Sequence, residues 1–137
     1  MVTATRYVVI DTNVIIYLIT ESPEASTFAP YLVNSVGLVS FQTVGELRHI
    51  ALRRNWGAAR HKDLNDRLKI CVVVSATDQI TEEWAQLMTA QMKKGSSILP
   101  ADAWIAATAL VYKCPVLTND RKDFERIEGL ELLPEKS

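Results

Sequence analysis

The stretch RYVVIDTNVIIYLIT, residues 6–20, sets a strand-like run (Val8, Val9, Ile10) against a second apolar run (Val14, Ile15, Ile16, Leu18, Ile19). Asp11, Thr12 and Asn13 interrupt the two. A carboxylate beside a core is costly unless it is paired, hydrogen-bonded or bound to a cation. Asp11 therefore either caps a turn through backbone donors or holds something that needs negative charge.

Working outward, four further short runs resemble the first. VGLVS (36–40), KICVVV (69–74), CPVLT (114–118) and LELL (130–133) bring the strand candidates to five. Helical spacing fills the gaps at 13–19, 24–34, 41–55, 58–68, 80–92, 101–112 and 121–127. ADAWIAATALVY (101–112) is apolar nearly all round, which predicts a buried helix. Fully apolar strands alternating with helices predict an α/β fold with a mostly parallel sheet of about five strands, covered on both faces. At 137 residues, with neither repeat nor linker, the chain reads as a single domain, 1–137.

A composition of 48% hydrophobic and 23% charged residues is that of a soluble globular protein. No apolar run approaches a membrane span and no secretory signal is evident, so no membrane partner is expected. Cys71 and Cys114 are too few for a disulfide framework, and a reducing cytoplasm is the expected address. The net charge of −1 conceals a basic stretch: residues 47–70 hold seven lysines and arginines against Asp63 and Asp66. Such a segment either tracks a phosphate backbone or forms a solvated helical face.

In open α/β sheets, ligands bind beyond the carboxyl ends of the strands. Asp11 follows the first strand, Glu46 lies early in the helix after the second, Asp102 opens the buried helix, and Asp120 follows the fourth strand. Each has a purely structural explanation. Asp11 and Asp120 suit helix N-caps, Asp120 with Asp123 resembles a capping box, and so does Thr43 with Glu46. Asp102 suits a helix dipole. Brought together in one cleft, the four would repel strongly unless protons or cations neutralised them. The neighbours Thr12, Asn13, Thr118 and Asn119 carry oxygen, whereas His49 and His61 lie elsewhere, as surface residues. All-oxygen donors select Mg²⁺ or Mn²⁺ over zinc, and such a site suits phosphoryl chemistry. Nucleic acid would then need positive charge around the acids, for which Arg48, Arg53, Arg54, Lys93 and Lys94 are the candidates. Trp84 and Trp104 read as packing residues of the core or of a dimer interface. Trp56, among basic residues, is expected to face a partner or to stack on an RNA base.

VIDTNVII, SFQTVGEL, ILPADAWIAATAL and VLTNDRKDF occur in order over nearly the whole chain. They resemble the four motif blocks of PIN-domain ribonucleases, in particular the small VapC-type toxins of prokaryotic toxin–antitoxin pairs. The resemblance implies a three-layer α/β/α fold and a Mg²⁺- or Mn²⁺-dependent endoribonuclease. Asp11, Glu46, Asp102 and Asp120 would be its catalytic acids; Asp11, Asp102 and Asp120 would ligate metal, and Asn13 and Thr118 would support them. The fourth acidic position, Asn or weakly acidic in many relatives, is here a full aspartate. Asp123 is expected to cap, and Phe124 to point inward. The resemblance further implies a homodimer, and a cognate antitoxin whose C-terminal segment occupies the cleft. Two other classes stay open: a non-catalytic PIN-like module that binds RNA or protein, and a metal-dependent, structure-specific DNA nuclease. The lack of a Gly-rich phosphate loop weighs against a phosphotransferase.

Overall fold

A computed structural model describes residues 6–136. β1 (Arg6–Ile10) places Val8 and Ile10 in one core and Val9 in the other, as strand alternation requires. The chain then runs α1 (Thr12–Thr20), α2 (Ala25–Phe28), β2 (Ser35–Ser40), α3 (Phe41–Arg53) and α4 (Ala58–Lys69). It continues through β3 (Val72–Val74), α5 (Asp78–Lys93), α6 (Pro100–Tyr112), β4 (Val116–Leu117) and β5 (Leu132–Leu133). All pairings are parallel and the five strands lie in the order β3-β2-β1-β4-β5. On one face Val14, Ile15, Phe28, Leu47, Ala51, Leu64 and Leu68 of α1 to α4 pack on Val8, Ile10, Val39 and Leu117. On the other, Ile80 and Leu87 of α5 and the alanine-rich side of α6 pack on Val9, Leu38 and Val116. The three-layer α/β/α arrangement expected from the sequence is present, and α6 is buried as its composition requires.

Four local expectations change. The helix foreseen over 24–34 breaks into α2 and a 3-10 turn, Ala29–Leu32, because Pro30 has no N–H to continue the ladder. The helix over 121–127 shrinks to one 3-10 turn, Arg121–Asp123, after which Phe124 and Ile127 drop into the core. Asp123 joins Asp120 only through backbone, with no side-chain cap. Finally, β3 is an edge strand, so Val72 and Val73 stay half exposed and the sheet is not covered throughout.

Trp56 is buried rather than facing a partner. Only 9% of it is exposed, within the cluster of Leu47, Ala51 and Leu64, and the Arg60 guanidinium lies over its ring, 5.7 Å from the centroid. Trp56→Ala should cost about 3 kcal/mol in urea denaturation, while nucleic-acid affinity measured well below the melting temperature stays at the parental value. Trp84 and Trp104 stack on each other at 4.7 Å and Phe41 meets Trp104 edge-on, which is the packing role read from the sequence.

Candidate active site

The chain leaves β1 and β4 in opposite lateral directions, so the crevice above these neighbouring strands is the topological switch point of the sheet. Asp11 sits at its floor, 6% exposed. Its backbone N–H is held by the Leu117 carbonyl of β4 at 3.0 Å. The N–H of Thr12 donates to Asp11 Oδ1 at 2.8 Å, so Asp11 does cap α1. The Thr118 hydroxyl donates to Oδ2 at 2.7 Å and accepts from the Asp120 N–H at 2.9 Å. One buried threonine thereby fixes both acids of the β1 and β4 ends.

Glu46 reaches the same crevice by a different local rule from the one its sequence suggested. Ser40, not Thr43, caps α3, accepting from the Gln42 N–H. Glu46 therefore lies in the second turn. The Thr12 hydroxyl is 3.2 Å from both Glu46 Oε1 and Thr43 Oγ1. Having one proton, it donates to the carboxylate and accepts from Thr43. Asp102 enters from the first turn of α6, where Pro100 at the helix start needs no N–H partner. The Asn13 amide donates to Asp120 Oδ2, and the Asn119 amide donates to the Tyr17 hydroxyl.

Electrostatics tie the acids into one group. Burial pushes the Asp102 carboxyl up to about 7, and the charges of Asp123, Asp11, Glu46 and Asp120 push the same way. Asp11 is pushed up to about 6, again chiefly by burial, with Asp120 and Glu46 adding to it and the Thr118 and Thr12 hydrogen bonds opposing it. Among the described residues the one ion pair joins Lys62 to Asp66, so no lysine or arginine neutralises the cluster. Nor do any three acidic, histidine or cysteine side chains among those residues close on a single point. The carboxylates are splayed, as unneutralised like charges are. Their oxygen-only donor set, unpaired with any cationic side chain, fits a hard divalent cation.

The cations considered from the sequence form no ion pair with the acids among the described residues. Arg48 is two residues from Glu46, hence about 200° round α3. Arg53 lies two turns on from Glu46, about 10 Å along the helix axis, and Arg54 caps the helix end. Lys93 and Lys94 end α5, exposed, just before the segment leading to Asp102. His49 is exposed and His61 half-buried. The structure brings to the site residues to which the sequence gave no role there. Asp123 is the strongest charged neighbour of Asp102, and Lys122 and Arg126 share a pocket with it. The charge-dense run RKDFER (121–126), which overlaps the end of the last motif block, was the available signal.

Known proteins agree with this architecture. The chain is 27% identical over 128 residues to ribonuclease VapC1 of Haemophilus influenzae, covering 89% of this chain and 92% of that relative. Superposition on VapBC2 from Rickettsia felis, solved bound to a DNA fragment from its promoter, gives a TM-score of 0.81 at 23% identity, covering 92% and 96% of the two chains. VapBC-1 from nontypeable Haemophilus influenzae gives 0.78 at 26% identity, with the same coverage. The PIN domain family model matches residues 8–130, from the strand that delivers Asp11 to the threshold of the last strand. Both the switch-point crevice and its acids fall inside that match, and the chain belongs to the PIN domain family.

Proposed function

We propose that residues 1–137 form one PIN domain that acts as a Mg²⁺- or Mn²⁺-dependent endoribonuclease, the toxin of a cytoplasmic toxin–antitoxin pair. The observation that carries this reading is that Asp11, Glu46, Asp102 and Asp120 feel one another's charge around one switch point while, among the described residues, none of them forms an ion pair. Asp11, Asp102 and Asp120 would hold the cation. When bound, such a cation lowers the pKa of a water and neutralises charge building on a phosphate. Thr118 keeps Asp11 and Asp120 in place, and Asn13 orients Asp120. Glu46, with Oε1 held by Thr12, presents its other oxygen to orient the attacking water or take its proton. The likeness to ribonuclease VapC1 and to VapBC complexes supports RNA as substrate and an antitoxin as partner, and the homodimer implied by the sequence resemblance completes the proposal.

The purified chain should cleave single-stranded RNA with Mn²⁺ or Mg²⁺ and lose at least about 10²-fold in rate with EDTA. Single-stranded and flap DNA run in parallel separate an RNA enzyme from a DNA nuclease. Cutting that persists in EDTA would remove the cation from the mechanism. The splayed carboxylates, with Asp11 satisfied by Thr118 and Thr12, favour one rival: a non-catalytic PIN-like binding module. It predicts a melting curve indifferent to Mn²⁺ and no cleavage of any substrate. In cells, mapping new RNA 5′ ends after induction identifies the target.

A further inference from the structure

Beside Asp102 a pocket of about 270 Å³ brings Ser96 and Ser97 of the α5–α6 connection against Lys122 and Arg126, with Asp102 and Asp123 also lining it. The buried Gln91 of α5 donates through Nε2 to the Arg126 carbonyl at 3.5 Å, and Arg126 Nη1 reaches Ser96 Oγ at 3.5 Å. Two separate segments are thus tied into one wall. Lys122 and Arg126 pair with neither Asp102 nor Asp123, although all four line the same pocket. Both charges remain available: the acids for a cation, the ammonium and guanidinium for an anion.

We infer that this pocket is a phosphate subsite, which takes the RNA phosphodiester flanking the scissile one. The inference rests on the ribonuclease reading of the acid cluster and names how that cluster tolerates a polyanion. A carboxylate-lined cleft repels a nucleic-acid backbone, and a bound divalent ion offsets that at the scissile phosphate only. A neighbouring phosphate needs its own counter-charge. Lysine supplies a point charge, arginine a planar fork and the serines hydroxyl donors, the combination that grips phosphate oxygens. Located directly beside Asp102, it fixes where the strand lies relative to the acids without reading a base.

The test is anisotropy of a labelled ten-nucleotide single-stranded RNA, with a DNA of the same sequence alongside, in EDTA where nothing is cut. Lys122→Gln with Arg126→Gln should raise the RNA Kd about tenfold. It should also flatten the dependence of log K on log salt by about 0.7 for each phosphate that is no longer neutralised. Lys113→Gln, at the opposite end of α6, should change neither. In Mg²⁺ the double variant should raise KM with kcat within about twofold, as loss of uniform binding does, and its melting temperature should match the parent. An unchanged Kd and salt slope, or no binding by the parent chain, overturns the subsite, and a weakening confined to DNA reassigns it away from RNA. A parent chain that binds RNA in EDTA through these two residues yet cuts nothing in Mg²⁺ overturns the catalytic reading alone.

Discussion

Asp102→Asn is expected to stop RNA cleavage and, without metal above about pH 7, to melt a few degrees higher than the parent chain. The two effects have one cause. Asp102 is half-buried and faces Asp123, Asp11, Glu46 and Asp120, so its carboxyl is pushed up to about 7. A folded-state pKa above the ordinary carboxylate value means the folded chain retains a proton the unfolded chain has released. Stability from this group therefore falls as pH rises from about 4 to 7, and the cost is complete above that range. Because Asp102 is only partly buried, solvent screening reduces that cost to about 1 kcal/mol. Among the described residues no other side chain hydrogen-bonds to Asp102, so asparagine removes the repulsion and little else. The expected gain is about 4 °C at pH 8, vanishing near pH 4. Divalent metal should reverse the ranking: at ten times its Kd, Mn²⁺ adds about 1.4 kcal/mol to the parent chain and nothing to a variant lacking a ligand. Cleavage should fall at least about 10²-fold. Melting curves at pH 4 and pH 8, with EDTA and with Mn²⁺, measure all three. A variant that melts below the parent at pH 8 in EDTA would show that Asp102 is not held against other charges, and parental cleavage would dismiss it as a ligand.

How much of this was legible in the sequence depends on whether a residue's environment is local or assembled. The β1 run is buried on both faces, so its apolar composition alone identified it, and Asp11 stood out because it breaks two apolar runs. α6 was equally plain, since twelve residues rich in alanine and aliphatics admit no solvent-facing side. Where two local signals competed, the sequence was ambiguous. In SFQTVGEL both Ser40 and Thr43 can cap a helix, and only the pairing of β2 with β1 and β3, which carries the strand through Ser40, decides between them. That choice moves Glu46 from the first turn to the second, and Thr12 then becomes its partner. Asp123 failed differently. It suits a cap only if a helix runs over 121–127, whereas the chain turns Phe124 and Ile127 inward after a single turn and leaves Asp123 beside Asp102. Cation placement was the least legible, because a basic stretch in sequence says nothing of how far a helix carries it: α3 sets Arg53 and Arg54 about two turns beyond Glu46, whereas Lys122 and Arg126 line the pocket beside Asp102.

Thr118→Val should convert the pH dependence of the site while leaving its shape intact. Thr118 is 1% exposed, and valine fills nearly the same volume. What disappears is the hydroxyl that donates to Asp11 Oδ2 and accepts from the Asp120 N–H. A hydrogen bond to the charged form of an acid favours ionisation, so removing it raises the Asp11 pKa further above about 6. A bond to a charged group is worth about 1.5 to 3 kcal/mol, which moves the acid limb of the pH–rate profile up by about one pH unit or more. At pH 6.5 kcat/KM should drop about fourfold or more, with most of the activity recovered at pH 8.5, where Asp11 ionises again. Stability should carry the complementary sign. Below about pH 5, where Asp11 is protonated in both proteins, the variant gives up little beyond the hydrogen bond from the Asp120 N–H. As pH rises past 7 the ionised, under-bonded carboxylate costs about 2 kcal/mol more. Thr118→Ser restores the hydroxyl and should restore the parental profile. A uniform loss of rate at every pH would make Thr118 a packing residue only; a displaced acid limb with serine rescue identifies it as the group that keeps Asp11 ionised at neutral pH.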